Sequence, residues 1–127
     1  MMTLLINRFD VTGNIQGGGQ VFSPLNNAGN SSTAITISWN DSNVQYVTMT
    51  GNCTFTFSNP QSGAIYRLIL KQDATGTRLA TWPATVSWPG GTAPTLSTTA
   101  ADLDIITFVY DGVSTKYHGV GFTKDLT

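Results

Sequence analysis

One histidine, seven aspartates, one cysteine and no glutamate are the residues from which this 127-residue chain could build chemistry. His118 is the sole candidate base. A serine nucleophile needs such a base within hydrogen-bond reach, and none of the ten serines lies in a Gly-x-Ser-x-Gly turn that would present it. Lys116, His118 and Val120 share one face of a strand pattern, so His118 reads as a partly exposed strand residue. Asp102 and Asp104 are the closest carboxylate pair; on a strand they point to the same side, roughly 6.6 Å apart. That separation would suit an inverting glycosidase or a hard cation. With no further oxygen ligand beside them, the two read instead as the solvated start of a strand. No catalytic or metal-binding residue is assigned, no cofactor is expected, and the chain is not expected to be an enzyme.

The remaining motifs give equally plain readings. Cys53 alternates with Phe55 and Phe57, which marks a buried structural thiol, and a single cysteine excludes an intrachain disulfide. Gly17-Gly18-Gly19-Gln20 lacks the Gly-Lys-Ser/Thr ending of a phosphate loop, and Pro89-Gly90-Gly91-Thr92 has no lysine beside it. Trp82 and Trp88 each precede a proline, which favours extended backbone at both corners. Exposed, they could stack on sugar rings or line an interface; buried, they would plug one end of the fold, the fate more typical of tryptophan.

The elements that must position these residues are strands. Charged residues make up only 10% of the chain, and the missing glutamates remove the usual dressing of helix surfaces. From Thr33 onward the apolar period is two: Ile35, Ile37 and Trp39 on one face, then Asn43–Thr50, then Cys53, Phe55 and Phe57 up to Asn59-Pro60. Ala64–Lys71 reads as a central strand with Tyr66, Leu68 and Leu70 facing one way. Thr77–Trp82 follows the Asp73-Ala74-Thr75-Gly76 turn, and Val86–Trp88 is a short piece within a Pro/Gly/Thr loop. Asp102–Tyr110 and Val113–Phe122 flank Asp111-Gly112, a strong hairpin signal. About eight strands at this spacing predict an all-β domain, an antiparallel β-sandwich or jelly roll, over residues 31–127. Residues 1–30 are rich in Gly, Asn and Ser and read as an extended N-terminal arm. Its embedded Leu4, Leu5, Ile6, Phe9, Val21 and Phe22 are the candidate partner-binding residues, because such an arm needs a neighbouring subunit or surface to lie against.

A net charge of −1 with six scattered basic residues leaves no footprint for nucleic acid or an anionic membrane. No window approaches the ~20 apolar residues of a membrane-spanning helix. Met2-Thr3-Leu4-Leu5-Ile6 is too short to be a signal peptide, so synthesis and assembly in a cytoplasm are expected.

Leu68-Ile69-Leu70-Lys71-Gln72-Asp73-Ala74-Thr75-Gly76, then Thr81-Trp82-Pro83, then Val86-Ser87-Trp88-Pro89-Gly90-Gly91-Thr92-Ala93-Pro94 and Asp104–Gly112 occur in order. Together they resemble a module of tailed-phage virion proteins, found at tail-fibre tips and in head decoration proteins. The resemblance extends weakly back to Asn52–Pro60 and covers about half the chain. It implies an antiparallel β-sandwich, usually trimeric, on the virion exterior. Fibre proteins carry the module behind a long stalk, and no stalk repeat precedes it here. The expected function is therefore capsid decoration: a cement protein seated as a homotrimer on the major capsid protein at the outer capsid surface, with the arms clamping neighbouring shell subunits. The alternative is a tail-fibre tip that adheres to host surface glycans through Trp82, Trp88 and the 83–100 loop.

Overall fold

A computed structural model describes residues 10–127 of the chain. Its nine strands are β1 (Asn26–Asn30), β2 (Ala34–Ser38), β3 (Val44–Met49), β4 (Cys53–Ser58), β5 (Ile65–Gln72), β6 (Ala80–Thr81), β7 (Val86–Ser87), β8 (Leu103–Asp111) and β9 (Lys116–Leu126). They form a six-stranded sheet in the order β1-β3-β5-β8-β9-β7 and a three-stranded sheet in the order β2-β4-β6. The all-β, two-sheet expectation therefore holds. The expected antiparallel pairing holds only for β5–β8 and β8–β9. The pairs β1–β3, β3–β5, β2–β4, β4–β6 and β7–β9 are parallel, which departs from a jelly roll.

The parallel pairing has a simple cause. From β1 to β7 each short loop carries the chain across to the other sheet, so strands alternate between sheets. Up to β6 every second strand then runs the same way beside its predecessor, while β7 pairs instead with β9. The residues between strands, such as 31–33 and 50–52, are the turn-formers that would also make hairpins, and period-two alternation is the same in either direction. The β8–β9 hairpin then closes the larger sheet.

One contiguous core lies between the sheets. Val47 and Met49 of β3, Tyr66, Leu68 and Leu70 of β5, and Ile106 and Phe108 of β8 face Ile37 and Trp39 on one side and Cys53 and Phe55 on the other, all buried. Each such side chain contributes roughly 1.5–3 kcal/mol on leaving water. The Trp39 ring stacks on Tyr66 (4.3 Å, 15°) and Phe55 stacks on Trp82 (5.0 Å, 17°). Two buried glutamines fasten neighbouring chain segments: Gln45 donates to the carbonyl of Ser38 at the end of β2 and to that of Ser42, and Gln72 to those of Arg78 and Ser97.

β1 lies inside the stretch read from sequence as arm. It pairs with β3 through a bulge between Asn27 and Gly29. Residues 10–25 form no strand or helix and are exposed throughout, with Val21 at 84% and Phe22 at 72%. Their last turn is tied down where the Ser42 hydroxyl donates to the Pro24 carbonyl (2.6 Å).

Candidate functional site: a loop platform and an apolar groove

The groups singled out for chemistry hold the fold together. His118 Nε2 lies 3.2 Å from Asp111 Oδ2, and the same carboxylate accepts the Val113 and Ser114 backbone N–H groups and the Ser114 hydroxyl. The serine bonds the aspartate and not the histidine, so no base activates it. The cluster caps a four-residue turn, longer than the two-residue turn suggested by Asp-Gly, since Asp111 pairs with Lys116. The Ser114 hydroxyl, followed by His118, holds the Asp111 carboxyl well below the usual carboxylate range.

Asp102 and Asp104 correct the sequence reading, because both are buried. Asp104 accepts the Ser97 N–H (2.7 Å), the Ser97 hydroxyl (2.5 Å) and the Asp125 N–H (3.2 Å), binding the end of β9 to the 92–102 loop. For Asp104 these hydrogen-bond donors compensate the burial. Among the described residues no three His, Cys, Asp or Glu side chains come together as a metal site. Cys53 is buried, and burial pushes its thiol pKa up, away from the reactive thiolate.

Two surface features remain. The first is the end of the molecule at which β3 and β5 finish and β2, β4 and β8 begin. Four loops meet there: 31–33, 50–52, 73–79 and 98–102. They are stitched to one another rather than left free. Ser32 N–H donates to Thr50 Oγ1 and Thr50 N–H to Ser31 Oγ. Cys53 N–H reaches the Leu79 carbonyl, and Leu79 N–H reaches Asn52 Oδ1. Thr77 N–H donates to Thr98 O and Ala101 N–H to Asp73 O. Arg78 clasps Asp73 through its Nη2 (2.8 Å) and Nε. That guanidinium, first among several donors, lowers the Asp73 pKa. Gly76 has φ +70, and a Cβ there would fall 2.5 Å from Thr98 O, so only glycine lets the two loops touch. Ser32, Thr77 and Ala101 also take left-handed backbone (φ 51, 66 and 65). Such conformations cost of order 1–3 kcal/mol each and persist only where surrounding structure enforces them. The outcome is a rigid, threonine-rich platform whose exposed side chains include Ser32, Thr33, Thr75 and Thr99. Sequence reading saw the Asp73-Ala74-Thr75-Gly76 turn by itself and did not join it to the other three loops; the left-handed Thr77 and Ala101 carry no sequence signal that would have done so.

The second feature involves the two tryptophans. Trp82 is a core plug, stacked on Phe55 and edge-on to Trp88 (5.4 Å). Trp88 lies across Gly119, where a Cβ would come within 2.6 Å of its ring. With Pro89, Pro94, Val120 and Phe122 it lines an open groove of about 290 Å³, to which Thr92 supplies the one hydroxyl. Of the expected arm contacts, Val21 and Phe22 stand away from this body, while Leu4, Leu5, Ile6 and Phe9 lie outside the described residues.

Residues 24–115 match the family described as "Putative phage tail fibre C-terminal domain". The chain belongs to this family. It is a structural component of a phage virion, as the resemblance implied. The matched span of this fibre domain starts beside β1 and runs through β8 to the turn that Asp111 caps, so it includes all four platform loops and the Trp88 side of the groove. No curated protein and no solved structure matches the chain.

Proposed function

We propose that this domain is the host-contacting end of a phage tail fibre, working as a homotrimer that adheres to surface glycans through the loop platform. The observation that carries the reading is the family match over residues 24–115, which favours the fibre tip over the capsid decoration role expected from the short arm. The platform suits the task. Its hydroxyls face outward on loops already fixed by hydrogen bonds, so little ordering entropy is lost on binding. The arm leaves at the opposite end, beside Ser42, where β1, β3 and β5 begin. A body held by its arm thus presents the platform, roughly 23 Å away along β5. The role is adhesive rather than catalytic: Ser114 faces Asp111 instead of a base. Trp88, the sugar-stacking candidate, sits in a groove poor in the polar groups that orient a sugar.

The test is attachment. Purified domain should bind host cells and compete with phage adsorption, and Thr75→Arg with Thr99→Arg should abolish both without lowering thermal stability. Undiminished attachment by that variant would exclude the platform. Failure of the unaltered domain to bind cells, with labelling of heads rather than tails in virions, would restore the decoration role.

A further inference from the structure

We infer that the apolar groove beside Trp88 receives the arm of a second copy of this chain, with Val21 and Phe22 as the inserted residues. Arm and groove are complementary in kind. From Val11 to Leu25 the arm carries no charged residue, and the groove is lined by none. In the single chain both halves are unsatisfied: Val21 and Phe22 are 84% and 72% exposed, and Val120 in the groove is 60% exposed. Burying such side chains against Trp88 and Phe122 removes exposed apolar surface from water, including Phe22, the bulkiest exposed apolar side chain among the described residues.

The sheet order favours a head-to-tail contact over a reciprocal exchange between two copies. The arm departs next to β1, one edge of the large sheet, whereas the groove lies over β9 and the segment after β7, at the other edge. Four strand spacings of about 4.8 Å put the two some 19 Å apart. Two different patches at opposite edges make a head-to-tail interface, which closes into a ring when the rotation allows it. Three such contacts give the proposed trimer a definite construction, each copy lending an arm and accepting one. The bulge between Asn27 and Gly29 breaks up the β1 edge and disfavours sheet-to-sheet pairing as the alternative route.

This goes beyond the adhesive reading and is tested by mass rather than by attachment, so either can fail alone. Light scattering of the unaltered protein should give three chains per particle. Phe22→Asp disables the arm and Val120→Asp disables the groove; both sites are exposed, so circular dichroism should stay unchanged. Each variant alone should be monomeric. Mixed one to one, they should form a dimer and stop there, because the only intact arm meets the only intact groove. A chain carrying Phe22→Cys and Val120→Cys, oxidised, should yield linked dimers and trimers on a denaturing gel. A monomeric unaltered protein, trimers that survive either Asp substitution, or a cysteine pair that links only within one chain would each overturn the inference.

Discussion

Replacing Gly119 with alanine tests whether the position of Trp88 is set by the absence of a side chain beneath it. Gly119 does not have left-handed backbone, so alanine is sterically allowed there by its own φ/ψ. In a compatible site, Gly→Ala normally stabilises by about 0.4–1 kcal/mol. Here the new methyl would sit 2.6 Å from Cε3 and 2.8 Å from Cζ3 of Trp88. Carbon contacts are comfortable at about 3.5–4.0 Å, so the ring must retreat by about 1 Å. Behind it stand Trp82 at 5.4 Å and Phe108 at 5.8 Å, which cannot yield without disturbing the core. Overpacking of this kind costs about 1–3 kcal/mol, and each weakened ring pair another ~0.5–1.5. A net loss of about 1–5 kcal/mol follows, seen as a urea midpoint lower by roughly 0.5–2.5 M with an unchanged slope. In a Trp88→Ala background the obstacle is gone, and Gly119→Ala should become neutral or mildly stabilising. The double-mutant cycle isolates that coupling. A single variant as stable as the parent, or a loss that persists without Trp88, refutes the reasoning.

Other expectations follow from the same geometry. Gly76→Ala should cost about 3 kcal/mol, because Thr98 O and Ala100 N are backbone atoms that cannot move aside, and cell attachment should fall with it. Gln72→Leu strands the buried Arg78 and Ser97 carbonyls and the Arg78 N–H, so denaturant melts should show a loss of at least about 2 kcal/mol. The two buried tyrosines should differ. Tyr66→Phe removes the acceptor of the Gln61 N–H and costs about 1 kcal/mol, whereas Tyr117→Phe removes a hydroxyl whose one neighbouring donor, Trp39 Nε1, is not within hydrogen-bond geometry, so its cost should be smaller than that of Tyr66→Phe. Asp73 and Asp111 have carboxyl pKa values depressed in the folded state, so their contributions are complete above the ordinary aspartate value and vanish as pH falls through the folded values. Arg78→Met, which removes the first cause of the Asp73 shift, should flatten that acid limb in melts between pH 5 and 2.

β4, β5 and β8 were legible because each combines β-branched or aromatic residues with clean alternation: Cys53–Ser58, Ile65–Gln72 and Leu103–Asp111 sit within a residue or two of the expected spans. β1 was not, since Asn-Asn-Ala-Gly-Asn has no strand-forming residue; it is a strand because β3 offers it a ladder and Ala28 reaches the core. Strand direction was invisible too. Alternation reports which face is buried, and an arch into the facing sheet uses the same short polar loops as a hairpin. Asp104 was misplaced for a related reason: its partners Ser97 and Asp125 are distant in sequence, and without them an aspartate reads as solvated. The groove was half visible. Trp88 stood out, but its partner is the lack of a side chain at Gly119, which becomes meaningful only when β7 and β9 lie side by side.

The parallel course of β1, β3 and β5 has a mechanical meaning. All three begin where the arm is tied and finish at the platform. In the proposed adhesive role, tension between a tether at one end and a gripped surface at the other runs along these strands. The hydrogen bonds between neighbours lie across that direction. They must therefore slide as a set instead of opening one after another, as they would in a hairpin pulled from its open end. The domain resists most stubbornly along the line in which an attached virion would pull it.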